Sequence, residues 1–177
     1  NAPGETDVEV SRTFPQFRDV DYIVASPYAR GTMGYQGIAE KDVMDVLADV
    51  KKRFNIDEDR TYLTGLSMGG GQSLNFGLGN LDKFAWVGGF SSAPNTKMPE
   101  ELVPNPEEAR NKLKLLWISC GDQDGLIAFS RRTHDYLFRT NVPHIYYIEP
   151  GVHDFKVWKN GLFMFSQLLF KPVDVST

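Results

Sequence analysis

The sequence is short of the residues that staple a fold or chelate a metal. Cys120 is the single cysteine among 177 residues, so no internal disulfide can form. It lies in the apolar run that begins Leu115-Leu116-Trp117-Ile118, and a buried thiol is expected. The three histidines, His134, His144 and His153, lack a ligand spacing such as H-x-x-x-H, so nothing points to a bound metal, and no cofactor is expected. No stretch approaches the roughly 20 apolar residues that span a bilayer, which points away from a membrane. Basic charge is scarce too. The formal net charge is -4 and the longest Lys/Arg run is Lys51-Lys52-Arg53, which argues against a nucleic-acid partner. Repeats and low-complexity segments are absent. Asn1 to Thr6 is polar and no methionine opens the chain, so any targeting segment is expected to have been removed.

What is present has the balance of a globular protein. Apolar residues make up 41 % and charged residues 24 %, and the length suits a single domain over 1–177 with a sizeable core. Short β-branched or aromatic runs alternate with helical patterns, the signature of the α/β class. Strands are predicted at Val20 to Ser26, Thr61 to Thr64, Phe84 to Phe90, Lys114 to Cys120 and His144 to Ile148. Helices are predicted from Ile38 to Phe54, Met68 to Leu78, Glu107 to Lys112, Ile127 to Thr140 and Asp154 to Phe170. The first has Val43, Val46/Leu47, Val50 and Phe54 on one face. With helices between successive strands, the sheet should be mostly parallel, with helices on both faces.

Gly65-Leu66-Ser67-Met68-Gly69 fits the G-x-S-x-G nucleophile elbow, and its place between a strand and a helix is where such a turn exposes a serine hydroxyl. Gly65 and Gly69 are expected to remove side chains that would collide at the turn, and Gly70 and Gly71 to let the helix approach the strands. The amide of Met68 would face a developing oxyanion at the helix N-terminus.

A serine hydroxyl needs a base, and histidine is the usual one near neutral pH. His134 reads as part of a solvated helix face and His144 as a structural polar residue opening a strand. His153 follows the last strand, where loops at carboxyl ends assemble sites, and is the expected base. The orienting carboxylate is Asp122 or Asp124 in Gly121-Asp122-Gln123-Asp124-Gly125, which spacing alone does not separate. Asp154 is a poor orienter because consecutive side chains diverge. The order Ser67, Asp122 or Asp124, His153 is that of the α/β-hydrolases.

Gly65 to Ser73, Asn80-Leu81-Asp82-Lys83-Phe84, Ser92-Ala93-Pro94-Asn95, Leu113 to Leu116 and His153-Asp154-Phe155-Lys156-Val157-Trp158-Lys159 also look familiar. Over roughly residues 20 to 170 they resemble the feruloyl and acetyl xylan esterases of carbohydrate esterase family 1, relatives of the esterase D type. The resemblance implies an α/β-hydrolase fold, a serine esterase, and Ser67 and His153 in its triad. It favours Asp124, since the family's acid closes a G-x-x-D stretch. Val152 departs from a glycine common in the family. The family's His-Gly loop, which donates a second oxyanion-hole amide, has no match before Asp19, so the fold would lack its first strands. By position, backbone between Ser26 and Arg30 is a substitute donor, and Val8-Glu9-Val10 a replacement strand.

These residues point to hydrolysis of a small-molecule carboxylic ester, of short-chain or feruloyl/acetyl type, through an acyl-enzyme. Trp158 could shape an acyl or aromatic pocket or pack in the core. A catalytically weak or inactive binding domain is the alternative, and a serine peptidase a more distant one. A missing strand would leave an exposed sheet edge, and such edges invite pairing, so a homo-oligomer formed across the shortened sheet is expected.

Overall fold

The computed structural model describes residues 22–28, 30 and 35–172. The chain divides into two compact units, Asn1–Asn55 and Ile56–Thr177. Within the first, helix α1 (Ile38–Arg53) buries Ala39 and Val43. Glu40 in its first turn and Lys51, Lys52 and Arg53 in its last complement the helix dipole. The predicted apolar face holds except at its end, where Phe54 is exposed. The strand predicted at Val20 to Ser26 is not seen in its described part, since residues 22–28 carry no strand. Val20 and Asp21, Ala29 of the Ser26 to Arg30 stretch, and Val8-Glu9-Val10 lie outside the described residues.

The second unit contains strands β1 (Tyr62–Leu66), β2 (Trp86–Phe90), β3 (Leu115–Gly121) and β4 (Ile145–Glu149), paired in that order and all parallel. Between them run α2 (Met68–Gly79), the short α3 (Pro99–Leu102) and α4 (Pro106–Lys112), and α5 (Ile127–Arg139); α6 (Phe155–Ser166) follows β4. The boundaries fall within two residues of most predictions, but α6 ends at Ser166 and the polar excursion after β2 contains α3.

Every residue of β2 and β3 is buried, whereas β1 and β4 are mostly half-exposed. Central parallel strands covered on both faces read as continuous apolar runs, as Leu115 to Cys120 does. Strand alternation assigns the helices to faces. A side chain on Gly77 of α2 would strike Val87, and one on Gly89 would strike Leu74 of α2. Gly88 and Phe90, pointing the other way, meet Phe165 of α6. Phe165 closes an aromatic cluster with Trp86, Phe90 and Trp117 on that face.

At Gly70 the helix meets backbone, which cannot give way as a side chain can. A Cβ there would lie 2.9 Å from the carbonyl oxygens of Gly65 and Phe90 and from Ser92 Oγ. Gly71 backs onto Thr96 rather than onto a strand, and a Cβ on Gly69 would meet nothing within 4 Å, so Gly69 does not relieve the collision expected of it. Gly70→Ala should therefore cost about 1–3 kcal/mol through overpacking. Gly69→Ala should be neutral or stabilising by up to about 1 kcal/mol through helix propensity. Paired thermal melts read this opposition, and equal losses at both positions would refute the packing account.

Candidate active site

Ser67 sits between the last residue of β1 and the first of α2, with φ 52° and ψ -122°. A serine in this region carries strain of about 1–3 kcal/mol, which surrounding bonds must hold. The Ser67 amide donates to the Phe90 carbonyl at 2.8 Å, and the Ser67 carbonyl accepts from Gly71 at 3.0 Å and from Ala93 at 3.2 Å. Gly65 completes the turn, because a Cβ there would run into the Gly69 carbonyl. Met68 opens α2, so its amide has no intrahelical acceptor and lies at the positive end of the helix dipole.

His153 comes from the loop between β4 and α6, and its Nε2 lies 2.9 Å from Ser67 Oγ. On the far side of the ring, Nδ1 lies 2.8 Å from Oδ2 of Asp124, in the loop after β3. The Asp124 side chain is wholly buried and the His153 side chain is 31 % exposed. Burial is the largest single influence on the Asp124 carboxyl and pushes its pKa up. The Leu126 amide, the His153 ring and the Ser91 hydroxyl together outweigh it, and the pKa ends below the ordinary carboxylate value. An ionised carboxylate only accepts, so it accepts a hydrogen bond from a proton held on Nδ1, which leaves the Nε2 lone pair facing the serine hydroxyl. A hydroxyl so placed can pass its proton to the imidazole as its oxygen attacks.

The other sequence candidates have different employment. Oδ1 of Asp122 accepts from the Gly151 amide at 2.9 Å, which ties down the loop that carries His153. Asp154 caps α6, accepting from the amides of Lys156 and Val157 at 3.1 Å each. His134 is not on a solvated face: its Nδ1 lies 2.8 Å from His144 Nε2, and its ring stacks on Tyr146 at 4.1 Å. His144 is structural, with Nδ1 2.8 Å from the Val142 carbonyl oxygen and its pKa lowered chiefly by burial. Cys120 is buried, which pushes its thiol up to about 11. Trp158 packs edge-on against the His153 ring, centroids 4.8 Å apart. Ser91, fully buried after the last residue of β2, escaped sequence reasoning. Its one signal was a polar residue at the carboxyl end of an apolar strand.

Residues 40–167 match the Esterase family, described as "Putative esterase". The chain belongs to that family. Among solved structures it is similar to the S-formylglutathione hydrolase FrmB of Staphylococcus aureus, at 25 % identity and TM-score 0.65, over 77 % of this chain and 63 % of that one. It is similar to the fluorophosphonate-binding serine hydrolase FphF of Staphylococcus aureus, at 23 % identity and TM-score 0.61, over 76 % and 64 % of the two chains. A ferulic acid esterase of carbohydrate esterase family 1 from Anaeromyces mucronatus matches at 23 % identity and TM-score 0.61, over 76 % and 54 %. This esterase-family chain thus spans less than two thirds of the length of each, and the sheet it shares with them is that of the α/β-hydrolase fold. Among the described residues, no helix is long and apolar enough to cross a membrane.

Proposed function

We propose that the chain hydrolyses carboxylic esters through an acyl-enzyme, with Ser67 as nucleophile, His153 as base and acid, and Asp124 as orienter. The observation that carries this reading is the unbroken hydrogen-bonded path from Ser67 Oγ through His153 to Asp124. Ser67 Oγ bonds to the ester carbonyl carbon while its proton passes to Nε2. The carbonyl electron pair moves onto oxygen, facing the Met68 amide. Collapse breaks the bond to the alcohol, which leaves with the proton from Nε2. Water then repeats the sequence on the acyl-serine and releases the acid. Trp158, packed edge-on against the imidazole, is the candidate for bordering an acyl or aromatic group.

The proposed substrate class is supported by the similar structures, described as an S-formylglutathione hydrolase and as a ferulic acid esterase. Short acyl and feruloyl esters are therefore the candidates. The test is turnover of p-nitrophenyl acetate and methyl ferulate by this chain and by Ser67→Ala. Turnover that needs Ser67 supports the reading, and equal rates for the two proteins leave only a binding domain.

The outer edge of β1 has no strand partner among the described residues. Because such edges template pairing, the proposal includes a second copy of the chain joined there. Sedimentation equilibrium should give twice the chain mass, and a monomeric mass overturns this part.

A further inference from the structure

Strands β3 and β4 end opposite each other, with Gly121 paired to Glu149, yet the two chains do not part there. The Asp122 amide donates to the Glu149 carbonyl at 2.8 Å, the Gln123 amide to the Gly151 carbonyl at 2.9 Å, and the Gly151 amide to Asp122 Oδ1 at 2.9 Å. This strap joins the loop that carries Asp124 to the loop that carries His153. Gly121 is buried at its root and touches both. Its carbonyl accepts from the Asp124 amide at 3.2 Å, which closes the turn of the acid. Toward the other loop, a Cβ on Gly121 would run into the Gly151 carbonyl oxygen and lie 2.7 Å from the carbonyl carbon and 3.1 Å from the Val152 oxygen. Those atoms are backbone, so no change of rotamer relieves the collision. Gly151 is confined as well: it has φ 153°, and a Cβ there would strike Val157 of α6.

We propose that Gly121 is a positioning residue for the hydrolysis: its missing side chain lets the loop of the base settle against the loop of the acid, at the spacing that puts His153 Nδ1 2.8 Å from Asp124 Oδ2. This rests on the Ser67, His153 and Asp124 reading above. Ordinary contact between carbon atoms needs about 3.5–4.0 Å, so a methyl group at position 121 would part the two loops by about 1 Å. A misplacement of that size costs about a hundredfold in rate. The loss falls on kcat, because the orientation of the imidazole governs proton transfer rather than the holding of the ester. Gly125, one residue past Asp124, supplies the contrast, since a Cβ there would meet nothing within 4 Å.

The experiment compares the full chain with Gly121→Ala, Gly125→Ala, Asp124→Asn and the Gly121→Ala/Asp124→Asn double variant. With p-nitrophenyl acetate, Gly121→Ala should lower kcat about a hundredfold with KM within about twofold, while Gly125→Ala keeps the parental kcat. The low-field proton resonance of His153 Nδ1–H should move upfield in Gly121→Ala, because the bond to Asp124 lengthens. In the Asp124→Asn background the same substitution should cost less than about threefold, since the bond it stretches is already gone. A general loss of packing would instead persist there. A folded Gly121→Ala protein with parental kcat and an unmoved resonance, or one that loses as much in the Asp124→Asn background as in the parent, overturns the proposal. Should Gly121→Ala not fold, Asp122→Ala reads the same strap by removing only the acceptor of the Gly151 amide. A fall of about three- to tenfold in kcat with a shifted resonance supports the proposal, and parental values of both overturn it. Absence of ester turnover by the parent chain would sink the hydrolase reading instead, and the resonance would still report whether Gly121 sets the spacing of the pair.

Discussion

Ser67→Ala should reduce ester turnover by about 10⁴- to 10⁶-fold, to a rate set by whatever the remaining site does for water. The substitution removes one oxygen from a half-buried position and little else. Alanine tolerates φ 52° no better and no worse than serine, and the amide and carbonyl bonds that pin the turn to Phe90, Gly71 and Ala93 are backbone bonds the variant keeps. The thermal transition should therefore stay within a few degrees of the parent, and KM should change little. His153 Nε2 loses the partner 2.9 Å away, but its other nitrogen stays on Asp124. Steady-state kinetics with p-nitrophenyl acetate, beside a melting curve, read both halves. A variant that folds like the parent and retains more than about a hundredth of its kcat would mean that another group attacks the ester, and the assignment of Ser67 would fall.

Much of this site was legible because an elementary rule of parallel sheets places it. Ser67, Ser91, Asp124 and His153 each follow the carboxyl end of one of the four strands. In a parallel sheet those ends share one edge, so strand prediction alone brings the serine and the histidine together across 86 positions. The acid was not separable by the same means, since Asp122 and Asp124 stand on one turn. What separates them is the turn itself: Asp124 N–H closes back on the Gly121 carbonyl, which faces one carboxylate to His153 and leaves the other beside Gly151. Ser91 was illegible for a different reason. Its hydroxyl accepts from an indole of α6, 67 positions away, and no local pattern encodes that approach. The described part of the Val20 to Ser26 run, residues 22–26, shows the limit of β-propensity, which scores side chains but cannot supply the neighbouring ladder that makes an extended segment a strand. His134 failed similarly, because its polar neighbours suggested water where the fold supplies Tyr146 and His144.

The second large effect separates the two carboxylates. Asp124→Asn should lower kcat by about 10⁴-fold, while Asp122→Asn should change it less than about tenfold. At position 124 one oxygen accepts the Leu126 amide and the other accepts the imidazole. A side-chain amide has a single oxygen, and the part-buried Leu126 N–H claims it, since leaving that donor unpaired would cost about 1–3 kcal/mol. The NH₂ group then faces Nδ1 and forces it to accept. The ring must carry its proton on Nε2, where it points at the serine hydroxyl and can no longer take a proton from it. At position 122 the side-chain bond to preserve among the described residues is the one to the Gly151 amide, and the oxygen of asparagine preserves it. Because both substitutions remove one negative charge from the same loop, any general electrostatic effect is common to the pair and cancels in the ratio of their rates. That ratio is the measurement. A value near one would place the orienting group elsewhere, and a large value with Asp122→Asn as the slower variant would transfer the role to Asp122.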